Sequence, residues 1–305
     1  MGFDLNGVKM LAVARARGAD FTRCVTLGRQ SLFGQTPSEL ARALTSLGMA
    51  TTHAEARTLL DGVWSEPLLE RFGAREVVSI DNSPYEGATR VQDLNAPVSD
   101  DQKGRFTVVI DGGTLEHVFN FPVAIKSAME LLEVGGHYIG ITPVNNFMGH
   151  GLYQFSPELY GRVFSAENGF SLSLMVLSEN FDTTWYEIVD TKQLNGSVQL
   201  KNAYPTLLFV LAKRVAMKEP FAAPPQQGHY VAQWAGEAAA PPPQQQQQAG
   251  RFSRVQGALW RNFRLFRIAY RVAMPVYALT SPRMRTNVFR RTSAEALARA
   301  PSTRG

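Results

Sequence analysis

Short runs of β-branched and other apolar residues recur along the first 215 residues, and several of them stop on glycine or aspartate. Examples are VTLG at 25–28, VVSID at 77–81 and TVVID at 107–111. Such runs, with little polar alternation, are typical of strands that are buried on both faces of a parallel sheet. Helical patterns lie between them. Strands that alternate with helices favour an α/β fold with right-handed crossovers and a mainly parallel sheet.

Two helical segments separate the first predicted strand from the second. Thr36 followed by Pro37 is a typical helix start, and Gly48 ends that helix. A second helical pattern runs from about Thr52 to Leu60. The sequence therefore predicts a helical insertion after the first strand.

A third predicted helix and two late strands complete the domain. The helix covers about 122–136, where glycines end it, and a strand follows at 137–143. The apolar runs 171–178 and 206–214 have no convincing helix between them. They predict an antiparallel pair at one edge of the sheet.

Charge divides the chain into two unequal parts. The whole chain has 31 basic and 26 acidic residues and a net charge of +5. Residues 251–305 hold 12 arginines against one acid, Glu295, so residues 1–250 have 19 basic and 25 acidic residues. A basic segment attached to an acidic domain indicates affinity for an anionic surface.

Composition predicts three regions: a domain at 1–218, a linker at 219–250 that is rich in Pro, Ala and Gln, and a basic helical tail at 251–305. In residues 254–274, helical spacing puts apolar side chains on one face and arginines on the rest. This pattern is typical of a helix that lies in a membrane interface or docks in a partner's groove. The alternative is a helix that packs on its own domain. Nucleic acid is not the predicted partner, because a basic arm alone indicates only affinity for anions.

The single cysteine, Cys24, excludes an intramolecular disulfide and a zinc site built from cysteines. No signal-peptide pattern opens the chain, and no apolar run reaches the roughly 20 residues that span a bilayer. The sequence predicts a cytoplasmic protein, peripheral on the inner face of the membrane if the tail binds there.

Glycines and acids follow the predicted strands, at Gly28, Asp81, Asp93, Asp111 and Gly112. In an open parallel sheet, ligands bind outside the carboxyl ends of the strands. A carboxylate at the position of Asp81 can accept hydrogen bonds from both hydroxyls of a ribose. For each acid alone, a turn or a helix cap is the alternative interpretation.

Five segments, in this order, resemble the class I S-adenosylmethionine-dependent methyltransferases: VVSIDNSPYEGAT, QDLN, FTVVIDGGTLEHVF, AMELLEVGGHYIGITP and the late strand pair. The chain is most similar to the small-molecule branch with a Leu-Glu-His-Val segment. GHGLYQFSPEL resembles methyltransferase-like proteins found with bacterial surface-polysaccharide synthesis genes. The resemblance covers about residues 20–215. It implies a Rossmann-like, seven-stranded, mainly parallel sheet with an antiparallel last strand, and S-adenosylmethionine as methyl donor.

The resemblance implies roles for three residues at the nucleoside end of the donor. Asp81 would hold the ribose. The Asp93 carboxylate would accept from the exocyclic amine of the adenine, and the Leu94 backbone amide would donate to the ring.

The methionine end of the donor would pass over Gly28, with Asp111 and Gly112 alongside. Here the chain departs from the family, because the usual glycine-rich turn reads LGRQSLFG and only Gly28 is in place. Side chains at Arg29 and Gln30 would crowd a closely approaching ligand. Either one of them contacts the donor's carboxylate, or the fold has lost the donor.

Glu116 and His117 are adjacent proton-active residues at the same predicted edge. A simple helix start explains them equally well. In some relatives this pair binds a divalent metal together with a glutamate three residues earlier. Gly113 holds that place here, so no metal site is predicted, and His117 is assigned to the acceptor pocket.

His150 is the predicted general base. Gly149 and Gly151 flank it in a loop after a strand of the same sheet, and histidine takes up protons in the useful range. The favoured interpretation is an S-adenosylmethionine-dependent methyltransferase that acts on a small molecule or saccharide, on oxygen, by in-line displacement. The alternative is a non-catalytic scaffold of the same fold that its basic tail recruits to a membrane or partner.

Overall fold

The computed structural model describes residues 2–179, 184–189, 204–228, 230–231 and 288–300. Within them the strands are β1 (Gly2–Phe3), β2 (Arg23–Leu27), β3 (Ser31–Leu32), β4 (Glu76–Asp81), β5 (Arg90–Val91), β6 (Phe106–Asp111), β7 (Leu132–Asn145), β8 (Phe170–Glu179), β9 (Trp185–Ile188), β10 (Thr206–Arg214) and β11 (Phe289–Thr292). The helices are α1 (Leu5–Ala16), α2 (Pro37–Ser46), α3 (His53–Asp61), α4 (Glu66–Phe72), α5 (Phe121–Leu131), α6 (Pro157–Val163) and α7 (Ala294–Arg299).

The main sheet has the strand order β11-β9-β8-β10-β7-β6-β2-β4-β5. The five strands from β7 to β5 are parallel to one another. β10 lies antiparallel between β7 and β8. The predicted α/β fold with a mainly parallel sheet is therefore confirmed. The two late runs do pair antiparallel, but they are not at the edge, because β9 and β11 extend the sheet beyond β8.

Helices cover both faces of this sheet, as its apolar strands require. Along β6, Val108 and Ile110 face the core on the side of α1 and α2. Val109 faces the opposite core, where α5 and α6 pack. The central strands of the sheet are therefore buried on both faces.

The helical insertion after the first strand is confirmed and contains one more helix, α4, than the sequence indicated. The third predicted helix is shorter than expected. α5 ends at Leu131, and residues 132–136, which were predicted to be helical, begin β7 instead. The strand prevails because Leu132 already pairs with Phe106 of β6.

A reciprocal cap fixes the start of α2. The Glu39 backbone N–H donates to Thr36 Oγ1 at 3.3 Å, and the Thr36 backbone N–H donates to Glu39 Oε2 at 2.8 Å. Thr36→Ala is expected to lower the free energy of unfolding by about 1 kcal/mol in urea denaturation. Ser38→Ala, two residues further along the chain and outside this cap, is the control. Equal losses in the two variants would contradict the capping role.

The end of the described chain returns to the domain. β11 pairs with β9, and α7 packs on α1, where Arg17 Nη1 donates to the Leu297 carbonyl at 3.2 Å. Residues 288–300 are therefore part of the sheet domain, which corrects the prediction that 251–305 forms a separate tail. The predicted helix at 254–274 and most of the 219–250 linker lie outside the described residues. Among the helices that are described, none has the length and apolar character to cross a membrane.

Burial gives His137 in β7 a pH-dependent effect on stability. Its side chain is almost fully buried, and its pKa is lowered to about 4 by that burial and by nearby Lys213. In the unfolded chain, the imidazole of His137 is protonated near pH 6.5, whereas in the folded chain it is protonated only near pH 4. Between these two pH values the unfolded chain therefore binds more protons than the folded chain. The free energy of unfolding is therefore expected to fall by about 3 kcal/mol as the pH drops from about 6.5 to about 4.

Urea denaturation across this pH range measures the effect. His137→Gln removes the titrating group, so the variant should lose this part of the acid dependence. The exposed His53 on α3 provides the matched control, His53→Gln, which should keep it. Curves that are equally steep in both variants would contradict the assignment to His137.

Candidate functional site

Two cavities lie side by side at the carboxyl edge of the parallel strands. The larger cavity has a volume of about 970 Å³ and the smaller one about 180 Å³. His117, in the 3₁₀ turn that follows β6, lines both of them. The end of β6 is therefore the junction between the two cavities.

The three residues predicted for the nucleoside end of the donor meet at the smaller cavity. Asp81 reaches it from the end of β4, and Asp93 and Leu94 reach it from the turn after β5. Asp93 Oδ1 accepts from the Asn95 backbone and side chain, each at 2.8 Å, and these bonds lower the pKa of Asp93. Its other lone pairs, and those of Asp81, can accept hydrogen bonds from a ligand.

The larger cavity has apolar walls with several acidic and polar groups, and the part of its lining that the structure describes contains no Lys or Arg. Part of its lining comes from residues that sequence analysis did not single out, namely Asp4, Leu5, Asn6, Phe33 and Glu39. The first three lie at the start of α1, and the other two lie in the loop after β3 and in the first turn of α2, which follows that loop. β1 and β3, which pair in parallel as a separate two-stranded sheet, bring these two segments together.

Glu116, His117 and His150 form a cluster in the wall of the larger cavity. Glu116 Oε1 lies 3.8 Å from His150 Nε2, and the two imidazole rings are 5.1 Å apart, centroid to centroid. The backbone N–H groups of Leu152 and Tyr153 both donate to the Glu116 carbonyl. These bonds attach the loop that carries His150 to the 3₁₀ turn, which brings the cluster together.

Burial shapes the protonation of this cluster. It raises the pKa of Glu116 to about 8, with a further contribution from the nearby Asp111. The pKa of His117 is lowered, first by burial and then by the neighbouring His150. Without a cation beside it, the Glu116 carboxyl is therefore largely neutral at pH 7.

Asp111 lies differently from the prediction. Its side chain is fully buried and lines neither cavity. Instead, it accepts hydrogen bonds from the Thr114 N–H at 2.9 Å, the Leu115 N–H at 3.3 Å and the Tyr138 hydroxyl at 3.1 Å. Burial raises the pKa of Asp111 to about 6. Asp111 thus holds the turn after β6 in shape, and the prediction that it faces a ligand is corrected.

The two predicted glycines also differ in placement. Gly112 lines the larger cavity, whereas Gly28, with its N–H bonded to the Ile80 carbonyl at 2.7 Å, lines neither cavity. A Cβ on Gly112 would lie 2.4 Å from Gln30 Oε1 and 2.7 Å from Phe3 Cε1. Any larger residue here would have to displace the buried side chains of Gln30 and Phe3, so the position favours glycine.

Arg29 points away from both cavities. Its Nε lies 2.7 Å from Glu66 Oε1, and its Nη1 donates to the Glu86 carbonyl at 2.8 Å. The guanidinium also lies 4.3 Å from the centroid of the Trp64 ring. These contacts hold Arg29 against α4, so it does not obstruct the ligand edge.

Comparison with known proteins gives weak similarities to solved structures only. A proposed methyltransferase from Bacillus halodurans is 12% identical, with 68% of this chain and 99% of that chain covered and a TM-score of 0.34. A proposed S-adenosylmethionine-dependent methyltransferase from Listeria monocytogenes is 12% identical, with the same coverage and a TM-score of 0.40. The branched-chain polyamine synthase from Thermus thermophilus, in complex with N4-aminopropylspermidine and 5′-methylthioadenosine, is 15% identical over 70% of this chain and 58% of that chain, with a TM-score of 0.35.

No family model matches the chain, and no curated protein matches its sequence. With TM-scores below 0.5, the similarities to solved structures do not assign the chain to a family. Its fold therefore rests on its own strand order and its own packing.

Proposed function

We propose that the protein is an S-adenosylmethionine-dependent methyltransferase. The observation that carries the proposal is the convergence of Asp81, Asp93 and Leu94, from the ends of two neighbouring strands, on one cavity beside the Glu116–His117–His150 cluster. The sheet agrees with it, since seven of its strands form the mainly parallel arrangement with antiparallel β10 that the sequence resemblance implies.

The described residues offer more hydrogen-bonding groups to the nucleoside end of such a donor than to its methionine end. The smaller cavity offers carboxylates to the ribose hydroxyls and the adenine amine, which is the chemistry that recognises a nucleoside. Next to it, Gly112 and Gly113 line the larger cavity with bare backbone, and the methionine end would lie along them. Gly28 lies outside both walls, so the role that the resemblance implies for it is not part of this proposal.

When bound, the donor supplies a methyl group on a sulfonium sulfur. The chain's part is to align an acceptor with that methyl and to receive the acceptor's proton. We assign the acceptor to the larger cavity, whose apolar walls and polar groups suit a small molecule or a saccharide, methylated on oxygen. His150 is the exposed base at that wall and takes the hydroxyl proton.

Calorimetry with S-adenosylmethionine tests the proposal. The wild type should bind saturably, and Asp81→Ala should weaken binding about 100-fold, because two hydrogen bonds to an ionised carboxylate are lost at about 1.5 kcal/mol each. Asp101→Asn, an exposed carboxylate outside both cavities, is the matched control and should bind as the wild type does. A folded wild type that binds no donor would refute the enzyme and favour the scaffold.

A further inference from the structure

We propose that Glu116, His117 and His150 bind one divalent transition-metal cation at the junction of the two cavities. Each residue offers one ligand atom, a carboxylate oxygen or an imidazole nitrogen, and these atoms all lie within 4.8 Å of one another. The sequence predicted no metal here, because Gly113 stands where some relatives have the third ligand, a glutamate. The loop after β7 brings His150 to the pair from another part of the chain.

The state of the Glu116 carboxyl points to a ligand. Its side chain is only 2% exposed and belongs to the wall of the larger cavity. Within the described part of the chain, its Oε2 is buried and has no hydrogen-bond partner. A buried polar atom without a partner is costly, and coordination of a cation is one way to satisfy it.

The cluster needs only a small movement to close on a cation. Ligand atoms at 2.0–2.1 Å from a tetrahedral metal lie about 3.3 Å from one another. Glu116 Oε1 and His150 Nε2 are already 3.8 Å apart. His150 is the ligand that can move, since its side chain is 53% exposed and it stands between Gly149 and Gly151, both at positive φ.

The chemical types of the three ligand atoms decide which class of cation the site would bind. Two imidazoles and one carboxylate suit Zn²⁺, Mn²⁺, Fe²⁺ or Co²⁺, whereas Mg²⁺ and Ca²⁺ prefer ligands that are all oxygen. Three protein ligands leave at least one position open, as in catalytic rather than structural sites. The described surroundings favour positive charge, because Asp4 and Glu39 line the same cavity, and the described residues of its lining include no Lys or Arg.

The inference rests on this geometry and holds whether or not the protein transfers methyl groups. If both proposals are correct, His150 ligates the cation rather than acting as a free base. A cation there would lower the pKa of an acceptor hydroxyl bound at the open position, and the proton would pass to solvent instead of to His150.

Metal titration of the full chain, freed of metal with a chelator and without any methyl donor, tests the inference. Co²⁺ followed by visible absorbance and Zn²⁺ followed by calorimetry should each show one equivalent bound per chain. His150→Asn and Glu116→Gln should weaken binding at least 10-fold and reduce the Co²⁺ absorption bands. Because Glu116 is buried and its variant can lose stability, circular dichroism accompanies each titration, and the exposed His150 variant carries the conclusion.

Matched controls separate this site from general metal affinity. His53→Asn and Glu70→Gln remove an exposed histidine and an exposed carboxylate far from the cluster in sequence, and both should bind as the wild type does. The inference is overturned if the wild type binds no equivalent of Co²⁺ or Zn²⁺, or if folded His150→Asn binds with unchanged affinity. The metal titration contains no S-adenosylmethionine, so a negative result refutes only the metal site. The proposed methyltransferase activity is tested independently by the S-adenosylmethionine titration of the wild type and Asp81→Ala.

Discussion

Asp111→Ala is expected to lower the free energy of unfolding by about 5 kcal/mol, which is enough to unfold much of the protein, because domains are stable by only about 5–15 kcal/mol. The substitution leaves the N–H groups of Thr114 and Leu115 and the hydroxyl of Tyr138 without their acceptor in a fully buried turn. Each such group costs about 1–3 kcal/mol. Urea denaturation and the thermal midpoint measure the loss.

Asp111→Asn refines this test because its amide oxygen still accepts hydrogen bonds while the charge is lost. We expect it to cost less than half as much as the alanine substitution. The role that the sequence resemblance implies for Asp111 makes a different prediction, namely weaker donor binding in a chain of nearly wild-type stability. Stability within about 1 kcal/mol of the wild type would therefore contradict the structural role.

Trp185→Ala is expected to cost about 4 kcal/mol of unfolding free energy, as large-to-small changes of buried aromatic residues do. Trp185 is fully buried, stacks on Phe209 with ring centroids 5.3 Å apart, and donates from its indole nitrogen to Asn6 Oδ1 at 3.2 Å. It therefore connects β9 to α1 as well as filling the core.

One further substitution separates the hydrogen-bond contribution of Trp185 from its packing contribution, and another serves as a control on the surface. Trp185→Phe keeps most of the ring contact but loses the hydrogen bond, which should cost about 1 kcal/mol, and some packing, which should cost less. Tyr85→Ala removes an aromatic side chain that is exposed to solvent and should change stability by less than about 0.5 kcal/mol. If Trp185→Ala and Tyr85→Ala were equally mild, Trp185 would not be part of the core.

The parallel strands were predictable because apolar runs that stop on glycine or aspartate are a strong local signal. α1 was not predicted, and its environment explains why. Residues 6–14 of this helix are all buried, Lys9 among them, so the sequence shows no polar face and no 3.6-residue periodicity. Only Asp4, which accepts from the Gly7 N–H at 2.8 Å as the helix cap, could have marked its start.

The residues of the candidate site also divide into those that the sequence predicted and those that it did not. Asp81 and Asp93 were predictable because parallel strands put their carboxyl ends on one edge, whereas Leu94 was named only because the resemblance implies its role. Asp4, Asn6 and Glu39 were not, since they reach the larger cavity only through the two-residue pairing of β1 with β3. Asp111 was assigned to the wrong role because the sequence shows where a strand ends but not whether the last side chain turns inward.

The return of residues 288–300 to the domain changes how the basic segment can be studied. Truncation after the linker would remove α7 from α1 and take away the partner strand of β9, leaving a bare sheet edge that invites aggregation. A shortened protein of that kind would fail in a vesicle-flotation assay for reasons unrelated to lipids. Excision of 254–274 alone, with both flanks retained, is the deletion whose result reports on attachment.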